Sequence, residues 1–393
     1  MNMNNKNWVS VWGNAVSIAE HHPEAYAKYI TLRYPVYIPF DGDTLRFTFD
    51  NYCGSEAVTV TRATVSAATS PVYEKMPLAC PCKKETICDI TFSKNESVTM
   101  EAHQTAVSDP VSFPVKKGMT LTVSLYFADF TLMQSAVLVT GPLSKGFFSL
   151  GDQTHADALP MDTTKTTNWF YFLSNIELMT AEENHTVICY GDSITAGAWP
   201  DYLTLLARQN PDNHTAFIRR ATSGSRVLRQ YECITYDSYG LKGTNRFPHE
   251  IPTTGADTVI IQQGINDIIH PVGIETNPFR PMSALPTVKE LIDGYRYYIE
   301  EAKKLHLKVY MGTLLPIFGW RTYATFRDDL RNELNAWIRS AKEIDGCIDF
   351  DLALRGSQNP SAFREGFDSG DHLHPSSKAY QAMAECAYEV LRK

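Results

Sequence analysis

The sequence predicts an α/β fold, a parallel sheet covered by helices on both faces, joined to a β-rich domain on its N-terminal side. Three observations lead there. The chain has 393 residues, more than the ~250–300 at which single hydrophobic cores stop growing. Residues 30–140 carry short runs in which apolar and polar residues alternate. After about residue 183 the rhythm changes to apolar strands interleaved with helix-period segments, the pattern that builds a parallel sheet. The domains expected from these changes are 1–182, with 141–182 as a connecting segment, and 183–393.

In the first part the runs are "TLRFTFD" (44–50), "AVTVTRAT" (57–64), "SVTMEA" (97–102) and "LTVSLYFADF" (121–130). Period-two alternation between Gly, Pro, Asp and Asn turns marks antiparallel strands, and a β-sandwich of jelly-roll type is the expectation. No cluster of acid, base and nucleophile occurs in it. The aromatic-rich segment 141–182 reads as a long connection lying against a surface. In the second part strands are expected at 186–190, 215–220, 257–263, 307–313 and 347–350, and helices at 199–209, 286–305, 324–343 and 376–392. Val288, Leu291, Ile292, Tyr295, Ile299 and Ala302 recur at helical spacing and should face the sheet.

Bulk composition excludes several classes. Net charge is −8 without a Lys/Arg block, so a row of nucleic-acid phosphates has no counterpart. No apolar run approaches the ~20 residues of a membrane span. The leading "MNMNNKNWVSVWGNAVSIAEHH" lacks the pattern of a secretory signal, so a cytoplasmic location is expected. Eight cysteines are present; the spacing in "CPCKKETIC" fits neither zinc pairs nor a secreted disulfide framework, so free thiols and no bound metal are expected.

In an open parallel sheet, ligands bind beyond the carboxyl ends of the strands. Ser193 in "GDSIT" follows the first strand, Gly224 in "RRATSGSRVL" the second, and Asn266 in "QQGINDI" the third. Near the end, Asp371 and His374 in "DHLHP" precede the last helix. A serine hydroxyl needs a base to take its proton, and the base needs a partner to fix its tautomer. Ser193, His374 and Asp371 suit these roles, because an i to i+3 turn lets the carboxylate reach Nδ1 while Nε2 faces the serine. Oxyanion donors would be the N–H groups of Ser193 and Gly224 and the Asn266 amide. His372 has the wrong spacing to Asp371 for the base. Asp192 and Asp267 are expected chiefly to hold loop backbone. Asp192, Trp199, Trp320 and Tyr323 are the possible substrate contacts, the aromatics by stacking on sugar rings, although aromatics at such places more often pack helices.

With "GDSIT", Gly224, "GIND" and "DHLHP" in place, the sequence resembles SGNH/GDSL-type hydrolases, in a bacterial two-domain branch whose N-terminal domain is β-rich. The resemblance implies a three-layer α/β/α sandwich with a five-stranded, flavodoxin-like parallel sheet. It also implies Ser193 as nucleophile, His374 as base, Asp371 as its orienter, and Ser193, Gly224 and Asn266 as the oxyanion hole, without cofactor. Such enzymes cleave esters or thioesters, and multidomain bacterial forms often act on acetylated sugars. A carbohydrate acetylesterase acting on a small-molecule or oligosaccharide ester is therefore expected. The rivals are a lysophospholipase or acyl-thioesterase, and a carbohydrate-binding protein with a degenerate hydrolase domain. Two departures concern substrate size: helix "AWPDYL" follows "GDSITAG" almost at once, and Ser225 stands where relatives often carry the Asn of "SGNR". Residue types leave the oligomeric state open.

Overall fold

The computed structural model describes residues 6–19 and 25–392; part of the leading segment read above for a signal lies outside them. Internal contacts divide the chain into two compact units, Met1–Thr186 with Pro211–Ile218, and Val187–Asn210 with Arg219–Lys393.

The first unit is rich in antiparallel strands. One sheet runs Lys6–Gly13, Leu173–Ala181, Gly42–Asp50, Thr105–Val107, with Val111–Val115 also pairing Gly42–Asp50. A six-stranded sheet is centred on Ile30–Tyr37 and Thr120–Phe127. Alternation is real where one face is covered: Leu45, Phe47 and Phe49 are buried while Arg46 and Thr48 between them are half-exposed.

Two expectations need correction. The run 57–64 is two strands, Val58–Val60 pairing Val98–Met100 and Arg62–Ala67 pairing Thr120–Phe127. The segment 141–182 is no connection, since it holds the strands Gly146–Leu150, Lys165–Thr167, Trp169–Tyr171 and Leu173–Ala181. Leu173–Ala181 is central in its sheet, and its signal is masked because the side chains it buries include Ser174, Asn175 and Glu177. Those polar groups are matched rather than exposed: Asn175 Nδ2 donates to Ser10 Oγ at 2.9 Å, and Glu177 takes Arg46.

Five parallel strands, His185–Gly191, Thr215–Ala221, Ala256–Gln262, Lys308–Gly312 and Gly346–Ile348, form one sheet in the order second, first, third, fourth, fifth. Both faces are covered, so the strands read as continuous apolar runs such as "TVICY" and "TVII". The order reverses between the first strand and its two neighbours, and that reversal creates a crevice at the strands' carboxyl ends. The main helices are Trp199–Arg208, Val288–Lys304, Thr325–Ser340 and Ser377–Leu391.

The helix Val288–Lys304 starts at Thr287, whose hydroxyl and the Glu290 carboxylate close a capping box, and carries Lys303 and Lys304 in its last turn, where cations suit the helix dipole. Its buried face is Leu291, Gly294, Tyr295, Tyr298, Ile299 and Ala302. The stripe is rotated from the expected one, leaving Val288 and Ile292 only half-buried. The cause is Tyr298, an aromatic whose polar end has a partner inside: its hydroxyl donates to Gln263 Oε1 at 2.7 Å, while Tyr295 donates to Gln263 O at 2.5 Å. Both phenols thereby hold the residue just beyond the third strand.

Candidate active site

The first strand ends at Gly191, and Asp192 turns the chain into a single-turn helix, Ser193–Ala196, by accepting the Ile194 N–H at 3.1 Å. Ser193 is thus fixed at the crevice by a cap rather than by its own side chain, and its hydroxyl stays half-exposed.

The segment before the last helix reaches it. His374 Nε2 lies 2.9 Å from Ser193 Oγ, and His374 Nδ1 lies 2.6 Å from Asp371 Oδ2. The other carboxylate oxygen of Asp371 accepts the backbone N–H groups of His374 and Leu373 at 2.8 and 2.9 Å. Burial alone would raise this carboxyl; the His374 ring N–H and those two backbone donors outweigh it and hold it at about 2. Asp371 is therefore ionised and can only accept, so Nδ1 carries the imidazole proton and the Nε2 lone pair meets the serine hydroxyl.

The neighbouring histidine is held elsewhere. His372 adopts a left-handed backbone, φ 64°, and its ring pairs with Asp368 at 2.5 Å. Gly319 packs beneath that ring, where a Cβ would meet it at 2.7 Å.

The loops after the second and third strands are laced together. Gly224 has φ +77°, and a Cβ there would sit 2.2 Å from the Tyr239 ring, so both backbone and packing demand glycine. The Asn266 side-chain amide donates to Ser225 O at 3.0 Å, which sets it beside Gly224. Asp267 accepts Val227 N and Leu228 N at 2.8 and 3.1 Å, the scaffold role its setting suggests. The Ser225 hydroxyl meets Arg246 Nη1 and Gln263 Nε2, each at 2.9 Å. Arg246 also reaches Gly191 O at 3.4 Å and pairs with Glu250 at 2.8 Å, all of it buried. Sequence reasoning missed Arg246 and Gln263, since Arg246 lies in the polar, Pro-containing stretch "GTNRFPHE", which carries no apolar periodicity.

Two of the four expected substrate contacts do not stand at the surface. Trp199 is 0% exposed, packs on Phe350 at 5.5 Å and donates to Thr195 Oγ1; its helix turns it inward. Asp192 is likewise 0% exposed and serves as the cap. Trp320 and Tyr323 are half-exposed, on the segment that brings Gly319 under His372.

All eight cysteines are free. Among the described residues no group of three or more His, Cys, Asp or Glu is placed to hold a metal ion, and no helix is long and apolar enough to cross a membrane.

Residues 189–382 match the model of the GDSL-like Lipase/Acylhydrolase family. No curated protein matches the chain. Among solved structures, the chain is similar to a GDSL-like lipase from Bacteroides thetaiotaomicron, with 20% identity, TM-score 0.40, and 54% of this chain and 89% of that one covered. It is also similar to an acetylxylan esterase from Geobacillus stearothermophilus, with 16% identity, TM-score 0.39, and 52% and 93% covered.

Proposed function

We propose, starting from a GDSL-like lipase/acylhydrolase domain at residues 189–382, that the chain is a serine carboxylester hydrolase that removes acetyl groups from carbohydrate. The observation that carries this reading is the unbroken hydrogen-bonded path from Ser193 Oγ through the His374 ring to Asp371.

In this reading Ser193 Oγ attacks the ester carbonyl carbon while its proton passes to His374 Nε2. Asp371 holds Nδ1–H throughout and steadies the imidazolium. The carbonyl oxygen, now an oxyanion, receives the N–H groups of Ser193 and Gly224 and the Asn266 amide; each such donor typically contributes roughly 3–4 kcal/mol. Collapse breaks the bond to the alcohol oxygen, which leaves with the proton from His374, and the acyl group stays on Ser193. Water then repeats the sequence, its proton going to His374 and its oxygen to the acyl carbon, and releases the acid and the free serine. Trp320 and Tyr323, half-exposed on the segment that carries Gly319 beneath His372, are proposed as stacking surfaces for the sugar.

The test is a chain-length series of p-nitrophenyl esters with the wild type and Ser193→Ala. The reading expects acetate to be the best substrate and the variant to lose at least about 10⁴-fold in turnover with its fold retained. Preference for octanoate would move the assignment to a lysophospholipase or acyl-thioesterase. Undiminished hydrolysis by the variant would remove Ser193 from it.

A further inference from the structure

Beyond Gly224 the same loop enters a cavity of about 600 Å³ that Ser193, Asp371 and His374 do not line. Its volume falls within the ~300–1,000 Å³ of small-molecule sites. Arg226, Arg229 and Lys242 face it against a single acid, Glu232, in a chain whose net charge is −8. Tyr231 and Phe279 supply aromatic walls.

The polar groups around it are buried but incompletely paired. Arg226, Tyr231, His270 and Arg280 are 5%, 9%, 6% and 8% exposed. Among the described residues, Arg226 Nε, Tyr231 Oη, His270 Nδ1 and Arg280 Nε have no hydrogen-bond partner. The guanidinium groups of Arg226 and Arg280 both lie on Tyr231, at 4.2 and 5.7 Å from its ring centre. Asp267 is the carboxyl whose charge acts on Arg226, and its two oxygens accept the Val227 and Leu228 N–H groups. Two buried arginines sharing one such carboxylate, each with an unpaired Nε, are costly to fold, because burying a cation or a polar group without full compensation costs free energy. An anionic ligand would supply the missing acceptors, and the guanidinium fork suits a planar or tetrahedral oxyanion.

One aromatic links the cavity wall to the proposed oxyanion hole. Tyr239 covers Gly224 and packs on Tyr231 and on His270, at 5.7 and 5.3 Å. Arg226 is two residues beyond Gly224 and follows Ser225, whose carbonyl holds Asn266.

We propose that this cavity binds an anionic group on the alcohol side of the ester, so that the substrates are acetylated acidic saccharides. The proposal rests on the hydrolase reading above and narrows it. Arg226, Arg229 and Lys242 bind the anion, Arg280 adds to the positive field from behind Tyr231, and the aromatic walls take the faces of the sugar ring.

The experiment compares kcat/KM for fully acetylated methyl glucuronoside, its carboxylate free, with that for the isosteric carboxamide and for acetylated methyl glucoside 6-sulfate. p-Nitrophenyl acetate serves as the neutral control. The carboxylate is expected to exceed the carboxamide by about tenfold or more at low salt, with the ratio shrinking as salt rises. Lys242→Met and Arg229→Met, each at a less buried position than Arg226, should each pull that ratio toward one. Preference for the sulfate as well assigns the site to oxyanions of either shape, and preference for the carboxylate alone assigns it to a planar one. Equal rates on carboxylate and carboxamide, with p-nitrophenyl acetate still cleaved, would overturn the subsite and leave the hydrolase standing. Should p-nitrophenyl acetate itself survive, calorimetric titration with glucuronate against glucose decides the subsite without turnover: selective heat that is lost in Lys242→Met supports it, and no difference overturns it.

Discussion

At the tip of the first strand Ser193, His374 and Asp371 each meet a partner, whereas along the loop after the second strand Arg226 and Tyr231 bury polar atoms that meet none among the described residues. The two clusters are built from similarly polar side chains, and the difference lies in what finishes them. The first is completed by the protein itself, down to the backbone donors on Asp371, so its geometry exists before substrate arrives. That is the condition under which fixed dipoles act on a transition state without reorganising. The second is left short of acceptors, and that condition suits a place where a ligand provides them. Preorganisation and incompleteness in adjacent loops mark the proposed division between chemistry and recognition.

The comparison breaks most visibly at Asp371. Asp371→Asn removes the acceptor that places the proton on Nδ1 and should lower kcat on p-nitrophenyl acetate by roughly 10³–10⁴-fold. A loss of less than about tenfold would mean that the completed cluster does not depend on its carboxylate.

A smaller effect sharpens the contrast inside the site, since its carboxyls are tuned in opposite directions. Burial raises Asp192 to about 7, with the charge of Asp267 adding to it, and burial raises Asp267 to about 6. Both stand above the ~3.9 of an unfolded Asp, so between pH ~4 and ~7 the folded chain binds more protons than the unfolded one. On this account the pair's contribution to stability falls as pH rises through that window. Asp371 behaves oppositely: held low, it contributes stability present above pH ~4 and lost as pH falls toward 2. Thermal midpoints measured from pH 5 to 8 should therefore decline less in Asp192→Asn than in the wild type, by on the order of 2–4 °C across the range. An unchanged slope would remove Asp192 as the buried titrating group.

The same distinction explains what could be read from the sequence. Ser193, Gly224 and Asn266 each follow a strand of an open parallel sheet, and Asp371 and His374 are three residues apart, so local rules were enough to put them on one list. The two histidines of "DHLHP" were separable by spacing as well, and the structure parts them, with His372 on Asp368 and His374 toward Ser193. For Trp199 the sequence left packing and stacking both open, because nothing local says which way the first turn of a helix points; it points to Phe350. Leu173–Ala181 was missed because Ser174, Asn175 and Glu177 are buried within it, which erases the alternation that announces a strand. The cationic cavity was invisible for a different reason. It gathers residues 226–245 and 279–284, two loops without periodicity, and the pairing of Arg226 with Arg280 over Tyr231 exists only in three dimensions.

The central claim is that the Ser193 hydroxyl, activated by His374, carries the acyl group. Treatment with a p-nitrophenyl phosphonate ester, followed by peptide mass spectrometry of the wild type and of His374→Ala, tests it without reference to any natural substrate. The account predicts one phosphonyl adduct per chain, on the peptide containing Ser193, with labelling slowed at least about 10³-fold in His374→Ala. Labelling at another residue, or at Ser193 with the same rate in both proteins, would contradict it.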